Sequence, residues 1–439
     1  MPKQHQILLV LVYLAGFFSI TWLIPRTCFI GTIVVYTLLF TVFLYWVEHP
    51  PKRRHFWWIY GISRFISLFA IPGLSDDFYR FIWDGFLIHQ GINPYDYLPS
   101  ELFQFHNDGF SGIIYQNLNS PNYFSVYPPL LQGLFAAMYG LGSSSVIGNL
   151  LVFRFVQIGL ELLVLKKYWV DKSQLGMIVP YLMICPLYVL ESLTNLHAEG
   201  LVVLVFMLLI GIFQQQRYFI SGLLGGTAVG IKLIPLLLAP RLLKICNPRE
   251  VFFFTSGMLI TLLVSSFWWF DTTAIQHFLT SVKLYFHRFE FNASLYYLFR
   301  WVGFQLKGYN LIHLIGSLTP IVVLVLTLYL QWLKKWRNKA NMKVVLWSLL
   351  IYYSLSSIVH PWYLIYLIVP AFYLRNVAVW WWFYAAFFSY VFYSENNTFW
   401  YPTLVSLEYL VLFILLLAEF KRNSFVLRWK DQLSMRPLS

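Results

Sequence analysis

Apolar residues in this chain come in long runs separated by short polar stretches. The runs cover 7–24, 28–47, 57–74, 147–167, 174–192, 198–214, 251–270, 311–333, 343–359, 363–374, 377–393 and 403–420. Most hold about 17–24 residues, enough for a helix to cross a hydrocarbon core of about 30 Å. A further stretch, 218–243, lies between Arg217 and Arg241. Its "GLLGGTAVGIKLIPLLLAP" predicts a broken helix pair with Lys232 at the tip. Irregular backbone at that depth is stable where it is buried in protein or lines a cavity. "YPPLLQGLFAAMYGL" (127–141) is apolar but short, and it reads as an interfacial or re-entrant helix.

The pattern predicts an all-α, polytopic transmembrane bundle of about 12–14 passes, since only internally bonded helices or closed barrels satisfy backbone in lipid. The whole chain, 1–439, is expected to form one integral membrane domain. Composition agrees: 59% of residues are hydrophobic and only 11% charged, against roughly 25% charged in soluble domains. The first run follows "MPKQHQ" and lacks a small-residue cleavage site, so it reads as a retained anchor. Cys28, Cys185 and Cys246 have no metal-ligand spacing and read as core residues.

The net charge of +13 does not imply nucleic acid, because the basic residues sit in short clusters between the runs. "PKRRH" (51–55), "KKYWVDK" (166–172), "QQQR" (214–217), "RLLKICNPR" (241–249), "KKWRNK" (334–339), "LRN" (374–376) and "KRNSFVLRWK" (421–430) are expected on the cytoplasmic side. Both termini then lie inside. Two long segments, 75–146 and 271–310, lie outside, so the working face is expected to be extracytoplasmic. Keeping 166–172 inside is also what requires 127–141 not to cross.

The candidate chemistry gathers on that face. "SDDFYRFIWDGFLIHQGINP" (75–94) reads as a helix ended by Gly91 and Pro94. Asp77, Arg80 and Asp84 share one face, and Phe78, Ile82 and Phe86 suit burial in the interface. Asp76 and Asp77 fit two roles: complementing the helix dipole behind a Ser75 N-cap, or doing chemistry. "TNLHAEG" (194–200) places His197 and Glu199 at an outer turn as substrate contacts, or as ordinary turn polarity. Lys232 is costly in a membrane unless it faces a cavity or an anion. Arg288 either binds a phosphate or pairs with Glu290, near His287 and Asn292. His360 and Tyr363 of "HPWY" (360–363) face a cavity or serve as aromatic anchors. Arg64, Arg154 and Glu161 lie inside spans and call for buried partners. Asn292 and Asn396 begin glycosylation acceptor triplets, too short a pattern to carry weight. Carboxylates beside cations at a membrane surface suit group transfer from a lipid-linked phosphate: a carboxylate takes the acceptor proton and cations hold the departing phosphate.

"SDDFYRFIWDG…GINPYDYLP" resembles the first-loop signature of bacterial polyprenyl-phosphate-mannose-dependent mannosyltransferases of the GT-C superfamily. Further matches run in order through "YPPLLQGLF" (127–135), "NLHAEGL" (195–201), "GIKLIPLLLAP" (230–240), "FNASLYYL" (291–298) and "HPWYL" (360–364). The resemblance implies a GT-C helical bundle in a bacterial cytoplasmic membrane. It implies inverting transfer of a sugar, most readily mannose, from a polyprenyl-phosphate donor to a glycan or lipid-linked acceptor. The family's loop aspartate before x-Tyr-Arg matches Asp77, with Asp76 as the other member of an acidic pair. The lysine of its K-x-x-P hairpin matches Lys232. On this reading Lys232, Arg80 and Arg288 hold the donor phosphate, and Asp84, His197, Glu199, Asn292, His360 and Tyr363 contact substrate. No cofactor, obligatory metal or nucleic acid is expected. The alternatives are a transporter or lipid flippase, kept open by Arg64, Arg154 and Glu161, and a non-catalytic subunit that holds a lipid-linked sugar.

Overall fold

The computed structural model describes residues 3–105, 109–269, 271–332, 341–395 and 397–420. The basic stretches 334–339 and 421–430 and Asn396 lie outside the described residues. The apolar runs form helices. The first three are α1 (Lys3–Trp22), α2 (Phe29–Glu48) and α3 (Arg53–Leu68). α3 stops short of the expected 74 because Pro72 forces Ile71 out of the helical region and Gly73 follows. The outer segment then folds into α4 (Asp77–His89), α5 (Pro99–Leu102), α6 (Gly109–Gln116) and α7 (Pro129–Gly142). α8 (Val146–Tyr168) leads into α9 (Gln174–Ile184), α10 (Pro186–Tyr188) and a π-helical turn, Val189–Thr194. α11 (Glu199–Phe213) and α12 (Tyr218–Ile231) follow, then a 3-10 helix, Ile234–Arg241.

The remainder comprises α13 (Leu242–Ile245), α14 (Pro248–Ser266), α15 (Thr272–His287), α16 (Leu295–Lys307) and α17 (Ile312–Trp332). After these come α18 (Asn341–Leu355), α19 (Ile365–Leu374), α20 (Val377–Ala385) and α21 (Asn397–Phe420). Among the described residues six helices (α1, α2, α8, α14, α17 and α21) are long and apolar enough to cross a membrane. α9 with the segment from Pro186 makes a seventh if taken as one span, bent by 58°. Five apolar helical stretches are shorter. This is an integral membrane protein built as a helical bundle. The expected core role of the cysteines holds only for Cys185. Cys28 is exposed in the turn before α2 and Cys246 is half-buried.

Arg64 and Arg154 both find partners inside the bundle. Arg64 on α3 meets Glu161 on α8 through one guanidinium edge, Nε and Nη2 donating to the two carboxylate oxygens at 3.0 and 3.1 Å. Tyr188 donates to the same carboxylate at 2.9 Å, and Arg64 also donates to the Met183 carbonyl. Arg154 is held by backbone carbonyls rather than by a carboxylate. Its guanidinium donates to the carbonyls of Leu193, Thr194 and Leu68. These are the last carbonyls of the π-helical turn and of α3, which have no intrahelical partner and carry the negative end of the helix dipole.

α4 differs most from expectation. It is not a helix lying half-solvated in the interface: Phe78, Arg80, Phe81, Ile82, Trp83 and Asp84 are all buried. α7 covers it. At the crossing, a Cβ on Gly85 would stand 2.2 Å from the Phe135 carbonyl oxygen, so only glycine lets the backbones touch. Phe81 stacks on Phe135 with ring centroids 4.5 Å apart. The polar face of α4 is buried with its own partners. Arg80 pairs with Asp84 at 2.7 Å and donates to the carbonyls of Ser120 and Tyr123. Ser125 and Gln132 donate to the other Asp84 oxygen. The helix ends where expected, with Gly91 at φ +74°.

Candidate active site

A cavity of about 580 Å³ opens where α4 and α11 begin and α12 ends. Asp76, Asp77, His197, Glu199, Lys232 and His360 all line it. Residues 75–94, 194–200, 230–240 and 360–364 are far apart in sequence, and the fold brings them to one place.

The two aspartates stand in different surroundings. Asp76 occupies the N-cap of α4 but makes no side-chain cap bond. The Ser75 hydroxyl instead accepts from the Asp77 N–H. Asp76 turns outward to Arg26, at 2.6 Å, and Arg26 in turn lies over the Tyr393 ring. Asp77 is half-buried and accepts from the Asn119 carboxamide at 2.7 Å. Burial pushes its carboxyl above the usual aspartate range, and the Asn119 hydrogen bond and the Lys232 charge offset this in part. Its side chain is thus held in the cavity rather than spent on capping.

Lys232 follows the last turn of α12 in an extended conformation, φ −149° and ψ 142°. The break comes where Pro235 forbids continuation of the helix. The tip carries the ammonium into the cavity, 3.1 Å from Glu199 Oε1 and 5.8 Å from the centre of the Tyr127 ring. Glu199 is buried in the first turn of α11, where the helix dipole favours a carboxylate. A lysine held by one carboxylate oxygen at a cavity wall retains donors for an arriving anion.

Opposite stands a column of rings. Phe291, His360, Trp362 and His197 stack in that order, with centroids 4.6, 4.1 and 3.7 Å apart. Burial, with Lys232 adding its charge, pushes His360 down to about 3. Burial, with Lys232 and His360 adding theirs, holds His197 well below the usual imidazole range. Both imidazoles are neutral at pH 7 and present hydrogen-bonding edges without charge. Tyr363 also lines the cavity, at right angles to His360.

The other four candidates are placed differently. Arg80 lines the cavity, with Nε bound to Asp84 and Nη1 to the Ser120 and Tyr123 carbonyls. Asp84 is fully buried behind that wall, and both its oxygens are taken. Arg288 follows the end of α15 with its side chain exposed, outside the cavity lining. Glu290 pairs with Arg300 rather than Arg288, at 3.2 Å. Asn292 is buried at φ +45° and bonds to Glu408, Tyr401 and Tyr409, so it ties its loop to α21. Sequence reasoning passed over Arg26, Asn119, Tyr127 and Trp362. Tyr127 and Trp362 carried a signal, inside the quoted "YPPLLQGLF" and "HPWY".

Among the described residues no group of three His, Cys, Asp or Glu side chains is arranged to hold a metal ion.

The helical membrane bundle, with a carboxylate and a lysine at one cavity, fits the GT-C glycosyltransferase class that the family match supports. The chain belongs to the mannosyltransferase family described as alpha-(1->6)-mannopyranosyltransferase, N-terminal domain, whose family model matches residues 18–246. The matched stretch holds Asp76, Asp77, His197, Glu199 and Lys232 but neither His360 nor Tyr363. Comparison with curated proteins gives no match.

Proposed function

We propose that this mannosyltransferase moves mannose from a polyprenyl-phosphate donor to a hydroxyl of a glycan or lipid-linked acceptor at the extracytoplasmic membrane face. The linkage it forms is α-(1→6), as the family description states for that family. Asp77 takes the acceptor proton as the oxygen attacks the anomeric carbon. The bond from that carbon to phosphate oxygen breaks, and polyprenyl phosphate leaves with its charge met by Lys232. Attack from the side opposite the phosphate inverts the centre, so an α product requires a β-linked donor. The observation that carries this reading is the shared cavity of Asp77 and the Lys232–Glu199 pair.

Space for a lipid tail is available near Lys232 in this scheme. Beyond Lys232 the segment Ile234–Arg241 borders two further cavities of about 60 and 570 Å³, mostly apolar and flanked by α11 and α18. The internal charges that kept a transporter reading open are instead spent on one another or on helix ends. In this scheme lysine neutralises the leaving phosphate, so chelation leaves turnover unchanged.

The donor assignment is tested by giving the purified protein mannose either as polyprenyl phosphate or as a nucleotide sugar. Transfer is expected from the lipid donor alone. Lys232→Met is expected to lower kcat/KM by at least ~10-fold, the loss of one charge-assisted contact of roughly 1.5–3 kcal/mol. Transfer from the nucleotide sugar, or an unchanged Lys232→Met, would overturn it.

A further inference from the structure

Behind the cavity wall lies Glu191, a residue that the scheme above does not use. It is fully buried on the π-helical turn, a local irregularity that proteins tend to keep at functional sites. One carboxyl oxygen accepts from the Tyr390 hydroxyl at 2.7 Å. The other, Oε2, has no hydrogen bond of ordinary geometry among the described residues; the Asn195 carboxamide lies near the carboxylate, and 3.6 Å from Oε2 stands His197 Nε2, also buried without a partner. Two such atoms facing one another are within ~1 Å of a hydrogen bond. Leaving both unmade costs desolvation on each side, so a pair of this kind needs an explanation.

The backbone between them is built to hold this approach. The His197 N–H donates to the Glu191 carbonyl at 3.1 Å, and the Ser192 hydroxyl donates to the His197 carbonyl. Leu196 takes φ +62°, an uncommon state for a residue with a branched side chain. A Cβ on Gly200 would stand 1.7 Å from Ser192 Oγ, so the turn closes on the π-helical segment only with glycine there. Trp362 fixes the plane of the imidazole from its face. Glu191 meets its edge.

We propose that Glu191 is a positioning residue: it engages Nε2 of His197 and so fixes which ring nitrogen carries the single proton of the neutral imidazole. His197 lines the cavity, so its other nitrogen is left with one fixed role towards substrate. The inference rests on reading the cavity as the site of mannosyl transfer.

A double-mutant cycle tests it. Glu191→Leu and His197→Ala are each expected to lower kcat/KM about 100-fold, the scale of a small misplacement at a reacting centre. The double variant is expected to be no worse than the poorer single one, because Glu191 acts only through His197. Glu191→Gln, which keeps a hydrogen-bonding group there, is expected to retain most activity. Nitrogen NMR of isotope-labelled histidine, with the His197 signal assigned by its loss in His197→Ala, is expected to show one tautomer. In Glu191→Leu the same signal becomes a mixture. This readout needs no turnover, so it stands even if the donor assignment fails. Equal losses from Glu191→Leu in both backgrounds, full activity of Glu191→Leu, or an unchanged tautomer would overturn the proposal.

Discussion

Asp76 and Asp77 are chemically identical neighbours that the fold makes unequal. Asp76 is neutralised by Arg26 at the cavity rim, whereas Asp77 lies further in, with a carboxamide donor and no direct cation. A base must bind a proton well enough to take it and weakly enough to be empty at working pH. Burial raises Asp77 towards that compromise, and Asn119 and Lys232 restrain it. The acid limb of kcat/KM is therefore expected above the ordinary aspartate value of 3.8. The sign follows from the role: activity falls as pH drops through the raised value, because protonated Asp77 accepts nothing. Asn119→Ala removes a restraining hydrogen bond, so its limb moves to higher pH. A limb that moves to lower pH in that variant would contradict the assignment.

At the scale of elements, the site depends on the close packing of α4 on α7. Gly85→Ala puts a methyl group against the Phe135 carbonyl. The expected cost is about 1–3 kcal/mol of overpacking, read as a lower melting temperature in detergent with reduced turnover. A variant as stable and as active as the parent would show that this contact yields freely. The element scale also shows what the sequence could and could not disclose. Apolar runs located the helices because membrane helices are written in length and hydrophobicity. The broken hairpin was readable too, since glycines, Lys232 and Pro235 all mark it. The burial of α4 was not, because Asp77, Arg80 and Asp84 at helical spacing describe a wet face and a satisfied buried face equally well. What decides between them is Ser120, Tyr123, Ser125 and Gln132, whose approach is a tertiary fact. Arg26 and Asn119 were hidden for the same reason: a loop residue's partner is not encoded in its neighbours.

For the molecule as a whole, the buried ion pair between α3 and α8 anchors the part of the bundle that carries the π-helical turn. Arg64→Met alone leaves Glu161 buried without its cation, though still accepting from Tyr188, and a loss of about 3–5 kcal/mol is expected. Arg64→Met combined with Glu161→Leu is expected to recover most of it in a melting experiment, since the pair offsets its own desolvation. A double variant no better than the single one would show that the pair contributes net stability. The fold thus separates two uses of charge. Deep pairs and capped helix ends hold the bundle together, while Asp77, Lys232 and Glu199 meet at a cavity open to substrate.

The central claim, that Asp77 is the base of a mannosyl transfer, is tested most directly by product analysis with purified protein, polyprenyl-phosphate-mannose and acceptor. Wild-type protein is predicted to release polyprenyl phosphate and form one α-(1→6) mannoside per turnover. Asp77→Asn is predicted to lose about 10²–10⁴-fold in kcat/KM, with Asp76→Asn losing far less. Wild-type turnover in Asp77→Asn, or a larger loss in Asp76→Asn, would contradict the account.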